Sequence, residues 1–90
     1  MAVYLISYDL DKPGQNYSKV HEAIKSYGSW AKVLESTWLI ETTQTAGQVR
    51  DNILRSMDEN DKLFVLRAGS EAGWYNLPED VSRWIKEKLK

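Results

Sequence analysis

Two strand-like runs, Trp30 to Leu34 and Thr37 to Thr42, are separated by only Glu35 and Ser36. A two-residue connection joins strands as an antiparallel hairpin, because a parallel return needs a crossover of about a dozen residues or more. The rest of the chain is read outward from that hairpin. Upstream, Ala2 to Tyr8 alternates Tyr4, Ile6 and Tyr8 with Val3, Leu5 and Ser7 and is rich in β-branched and aromatic types, which marks a strand ending at Asp9. Asp11-Lys12-Pro13-Gly14 is a turn signal, since Pro presets φ and Gly supplies a positive φ. Asn16 is the cap of a helix over Tyr17 to Tyr27, whose Tyr17, Val20, Ile24 and Tyr27 recur at helical spacing before Gly28 stops it.

Downstream of the hairpin, Thr45 is a second cap candidate, and Ala46, Val49, Ile53 and Met57 share one face of a helix that ends near Asp58. Lys62 to Arg67 reads as a fourth strand and Gly69 to Leu77 as a loop. Pro78 opens a last helix with Glu79 and Asp80 near its start and Lys86, Lys88 and Lys90 near its end, as the helix dipole favours. Right-handed crossovers and short connections leave few arrangements of strand, helix, strand, strand, helix, strand. The expected fold is α+β: a single ferredoxin-like βαββαβ domain over residues 1–90, an antiparallel sheet in the order 4-1-3-2, with an additional C-terminal helix. In that fold Asp9, Asp11, Glu35 and Asp61 come to one side of the sheet.

Both predicted crossover helices cover the same face, so the other face should be polar in a monomer. Strands one, three and four nevertheless carry apolar residues at both parities: Tyr4 and Ile6 with Val3 and Leu5, Trp38 and Ile40 with Leu39, Phe64 and Leu66 with Leu63 and Val65. Contiguous apolar surface of that kind is covered by something. A face-to-face homodimer is the favoured cover, and the third helix, through Val81, Trp84, Ile85 and Leu89, is the alternative.

Composition narrows the functional classes. A hydrophobic fraction of 42% with 28% charged residues of mixed sign fits a globular, soluble domain without a membrane span. The apolar run Ala2 to Ile6 is too short for a signal peptide and is followed by Asp9 and Asp11, and there is no cysteine, so a cytoplasmic location is expected. A net charge of −1 does not support a strong nucleic-acid partner. Lys12, Lys19, Lys25 and Lys32 are the residues from which a local basic patch would be built, against the reading that they simply solvate a helix face.

Asp9 with Asp11 is the most suggestive pair, since two carboxylates beside a strand end can hold a hard cation such as Mg²⁺ and position water for phosphodiester hydrolysis. An Asp after a strand also serves as a turn former or cap. His21 has no second His and no Cys to complete a metal site and reads as a partly exposed helix residue. Ser36 and Thr37 are candidates for contact with phosphate oxygens, although both types are ordinary turn formers. Gly14 alone makes no phosphate cradle. The four tryptophans and five tyrosines fall mostly on periodic faces and so read as packing, with Trp74 and Tyr75 the loop exceptions.

Tyr8-Asp9-Leu10 followed by Asp11, a helix carrying Lys19-Val20 and closing Ile24-Lys25-Ser26-Tyr27-Gly28, then Glu35-Ser36-Thr37-Trp38-Leu39-Ile40 and Asp61-Lys62-Leu63-Phe64-Val65-Leu66, together resemble the CRISPR-associated Cas-two family and its SinR-like relatives. The resemblance covers residues 3 to 67, and its one sharp motif is the Tyr-Asp-apolar strand end. It implies a ferredoxin-like homodimer with Asp9 of each subunit at the interface, the position associated in that family with Mg²⁺- or Mn²⁺-dependent cleavage of RNA or DNA. Other members serve as noncatalytic scaffolds that hold DNA. Two departures favour the SinR-like branch. Lys12-Pro13-Gly14-Gln15-Asn16 stands where a Lys/Arg-rich stretch is usual, and the tail is a predicted helix instead of a fifth strand that swaps onto the partner. Two readings result: a dimeric noncatalytic module for nucleic acid or protein, and a metal-dependent endonuclease using Asp9.

Overall fold

The strand and helix signals order themselves along the chain as β1 (Ala2–Asp9), α1 (Tyr17–Lys25), β2 (Trp30–Leu34), β3 (Thr37–Thr42), α2 (Ala46–Leu54), β4 (Lys62–Arg67) and α3 (Glu79–Lys88) in a computed structural model. Residues 1–11 and 17–89 are described. The Asn16 cap, the Lys12-Pro13-Gly14 turn and the candidate contact Lys12 lie outside them.

Local chemistry explains most boundaries. α2 begins with a reciprocal capping box, in which Gln48 N–H donates to Thr45 Oγ1 (3.2 Å) and Thr45 N–H donates to Gln48 Oε1 (2.9 Å). α1 stops at Lys25 because the next bonds tighten, with Tyr27 N–H reaching Ile24 O and Gly28 N–H reaching Lys25 O. Gly28 then takes φ 86°, a left-handed conformation that a side chain would resist. α2 ends in the same way, since Ser56 and Met57 N–H bond back three residues to Ile53 O and Leu54 O.

The four strands form one antiparallel sheet in the order β2-β3-β1-β4. Tyr4, Ile6, Tyr8, Trp38 and Ile40 face α1 and α2 and meet Val20, Ile24, Val49 and Ile53 there. Ile6, Ile24, Ile40, Val49 and Ile53 are fully buried in this core. Burying one such side chain contributes about 1.5–3 kcal/mol, so this layer holds the larger share of the folding energy.

The opposite face is covered from within the chain. Val81 and Ile85 of α3 pack on Val3, Ala31 and Leu39, with Trp84, Leu77 and Leu89 around them. Lys88 Nζ adds an ion pair to Glu41 Oε1 at 3.3 Å. The expectation of a second subunit as the cover therefore gives way to α3 over this part of the face: its apolar stripe is presented at the right height, and an intramolecular partner does not incur the entropy of association. α3 does not reach all of it. Phe64 and Leu66 on β4 stay more than half exposed. A hollow of about 350 Å³ remains among Leu5, Val33, Leu66, Trp74 and Leu77. Trp74 Nε1–H donates to Ser82 Oγ (3.0 Å) and ties the loop that borders this hollow to α3. Among the described residues, no helix is long and apolar enough to cross a membrane.

Candidate functional site

The end of the sheet that carries Asp9 is assembled by three long-range ties. Tyr8 N–H donates to Ser36 O (3.2 Å), which fastens β1 to the β2–β3 hairpin. The hydroxyls of Ser7 and Thr37 lie 3.2 Å apart in a cross-strand bond. Asp11 N–H donates to Asp61 Oδ1 (2.8 Å), which brings the chain after β1 to the start of β4. Asp9, Asp11, the Glu35-Ser36 turn and Asp61 thus share one end of the sheet, because antiparallel pairing sets the end of β1 beside the start of both β3 and β4.

The acids at this end do different things. Asp61 accepts two backbone donors, Asp11 N–H on one oxygen and Asp58 N–H on the other, each at 2.8 Å. That is the capping role anticipated as the bland alternative for Asp9. Asp9 itself is exposed on the strand end, paired across the ladder with Lys62. It borders an open hollow of about 270 Å³ with Ser7, Lys62 and Phe64. No described group donates a hydrogen bond to it. Among the described residues, no three acidic or imidazole groups gather where they could hold a metal ion. One exposed carboxylate with a lysine as its cross-strand neighbour does not, within a single chain, fit a hard divalent cation that takes six or more oxygen ligands. Ser36 and Thr37 sit at the same end. Ser36 contributes its carbonyl to β1, and the Thr37 hydroxyl is engaged with Ser7.

Beneath the Asp9 end lies a polar chain that the sequence did not disclose. Trp38 Nε1–H donates to the Tyr8 phenol oxygen (3.2 Å), and His21 Nε2 lies 3.0 Å from the same oxygen. The His21 ring also rests against Trp38, centroid to centroid 5.1 Å. Burial is the main cause that pushes the Tyr8 pKa up, while the Trp38 hydrogen bond opposes it and the charges of Tyr17 and Glu35 add to it. Burial also lowers the His21 pKa, helped by Lys32 and Lys25 and opposed by Glu35. Both shifts favour neutral groups. A neutral Tyr8 accepts from Trp38 Nε1–H and, where neutral His21 carries its proton on Nδ1, donates its O–H to His21 Nε2, so that the Tyr8 hydroxyl is satisfied both as donor and as acceptor. The available signal was parity: Tyr8 and Trp38 point to the α1 side of neighbouring strands, and His21 follows Val20 on the buried stripe of that helix.

The lysines divide as well. Lys25 Nζ stands 5.1 Å above the Trp30 ring and Lys32 Nζ 5.9 Å from that of Trp38, so both stems lie on aromatic surface. Lys19 is exposed on α1. No protein-family model matches this chain.

Proposed function

We propose that this chain is a ferredoxin-like module of the Cas-two-like and SinR-like kind that works as a homodimer. In this reading it is a noncatalytic scaffold associated with nucleic acid or with another protein. The strand order β2-β3-β1-β4 and the two crossover helices on one face support the ferredoxin-like assignment. The observation that carries the functional reading is the state of Asp9. It stands exposed at the strand end with Lys62 across from it, while the neighbouring Asp61 is spent on two backbone caps. Among the described residues no three acids or imidazoles gather at this end, whereas metal-dependent hydrolysis calls for a convergent set. The absence of a net positive charge points to a module held by shape and apolar contact more than by phosphate attraction.

A second reading, a metal-dependent endonuclease acting on RNA or DNA, is favoured by the same exposure. Asp9 has no structural task among the described residues, and two copies brought together at a dimer interface would contribute two such carboxylates. The experiment is cleavage of RNA and DNA by the purified protein with Mg²⁺ and with Mn²⁺, in parallel with Asp9→Asn. The scaffold reading expects no cleavage by either protein. The endonuclease reading expects cleavage that both chelation and Asp9→Asn abolish. Cleavage that persists unchanged in Asp9→Asn belongs to neither.

A further inference from the structure

Sheets end in edges, and the two edges of this one are built differently. β2 has five residues, carries Lys32 at its centre, and shifts register against β3 between Lys32 and Leu34. A central lysine and an irregular register are devices that discourage further strand pairing. β4 has none of them: it pairs with β1 without a break from Lys62 to Arg67, contains no proline, and confines its charges to its two ends. Its side chains Phe64 and Leu66 are 58% and 51% exposed.

The register fixes which backbone groups are free. Ala68 N–H donates to Val3 O (2.8 Å), in the same antiparallel register that pairs Leu66 with Leu5, Phe64 with Ser7 and Lys62 with Asp9. Hydrogen-bonded and non-hydrogen-bonded pairs alternate along such a ladder. Residues 62, 64 and 66 therefore turn their N–H and C=O toward β1, and Leu63, Val65 and Arg67 turn theirs to the outside, where the sheet has no further strand among the described residues.

We propose that the outer edge of β4 is the docking surface for a second copy of this chain, antiparallel, with the two-fold axis at Phe64, so that the sheets of two protomers become one. The proposal rests on the homodimer reading and specifies its surface. The outward groups belong to odd-numbered residues, so ladder bonds must join odd to odd. Centring the axis on Phe64 achieves this by setting Leu63 opposite the partner's Val65. It also sets Arg67 opposite the partner's Asp61, whose carboxylate keeps its charge while it accepts two backbone N–H groups within its own protomer, and the two-fold repeats that charge pair at the other end of the ladder. Centring on Val65 satisfies the same bonding rule but sets Arg67 opposite leucine and leaves both charges without a counterpart. Charge complementarity thus selects the first register. There Phe64 meets the partner's Phe64 at a non-hydrogen-bonded position, where facing side chains come closest. Leu66 lies against the apolar stem of the partner's Lys62.

The test is light scattering after size exclusion, over a range of micromolar concentrations, on wild type, Val65→Pro and Phe64→Lys. Proline at 65 deletes an outward N–H and leaves the β1 ladder intact, a placement that edge strands tolerate. Lysine at 64 sets two like charges together on the axis at an already exposed position, so it decides the matter if Val65→Pro fails to fold. The expected result is a wild type of twice the chain mass and folded monomers for both variants. Arg67→Glu should weaken the dimer roughly tenfold or more by facing the partner's Asp61 with like charge at both ends. In the dimer, the amides of Leu63, Val65 and Arg67 should exchange slowly and become fast on dilution. A wild-type dimer that survives in folded Phe64→Lys and keeps those amides fast overturns the β4 surface while leaving the homodimer reading in place. A wild type that is monomeric throughout overturns both.

Discussion

Both faces of the sheet are apolar, yet they are closed by different means and to different extents. Under α1 and α2, residues from two helices and three strands interlock until Ile6, Ile24, Ile40, Val49 and Ile53 have no exposure. Under α3 a single helix covers Val3, Ala31 and Leu39, and the β4 end of the same face stays open at Phe64 and Leu66. The first face is a folding core. The second is part core and part surface, and its open part adjoins the one sheet edge that carries no central charge or irregularity. An apolar face thus need not be wholly buried or wholly an interface: one short helix can divide it.

The largest effect that would sharpen this contrast is Ile53→Ala. It removes a fully buried side chain from the core under α1 and α2, and its expected cost is about 3–5 kcal/mol in urea unfolding. Ile85→Ala, the matching truncation under α3, borders the hollow that helix leaves and should cost about 2 kcal/mol, near the low end for such changes. Equal losses at the two sites would break the distinction between the faces.

A smaller effect concerns the connection that returns the chain from α2 to β4. Asp61→Ala removes the acceptor of two backbone N–H groups at an accessible site and should cost about 1–2 kcal/mol. Asp9→Asn, only a few residues away in space, should stay within about 0.5 kcal/mol because no described group depends on it. A large loss on Asp9→Asn would reassign the structural role to Asp9.

The smallest effect is a pH dependence at the rim of the closed face. Burial holds the His21 pKa below the ordinary 6.5, so the unfolded chain takes up the proton first as pH falls. The stability this group contributes is complete above about pH 6.5. It is lost as pH falls from there through the folded value. Comparing urea midpoints of wild type and His21→Gln from neutral pH downward should show the wild type falling more steeply before the carboxylates titrate. Parallel curves would mean that Tyr8 and His21 are not coupled as the geometry indicates.

Much of this was legible in the residues, and the misreadings have local causes. The seven elements follow from periodicity and punctuation, and Thr45 announced the start of α2. The two overlong helix readings, to Tyr27 and to near Asp58, arise because Tyr27 and Met57 continue to pack on the first core after the backbone has switched to three-residue bonds. Apolar spacing reports which side chains turn inward, and it does not register that switch. At the Asp9 end, the convergence of Asp9, Asp11, Glu35 and Asp61 could be drawn from strand order alone. Which of these acids caps backbone groups could not, since that depends on two loops meeting within hydrogen-bond distance.

The sequence by itself determined the elements, their antiparallel hairpin and the apolar character of both sheet faces, because these are set by spacing within a few residues. Only the tertiary structure decided what covers each face. It was the tertiary structure that laid α3 over part of the second one, joined His21 to Tyr8 and Trp38, and left β4 as an uncovered edge. Those outcomes depend on matching surfaces that lie far apart in the chain. Many segments are apolar enough to pack against one another, and the pairing that forms is the one the whole geometry allows.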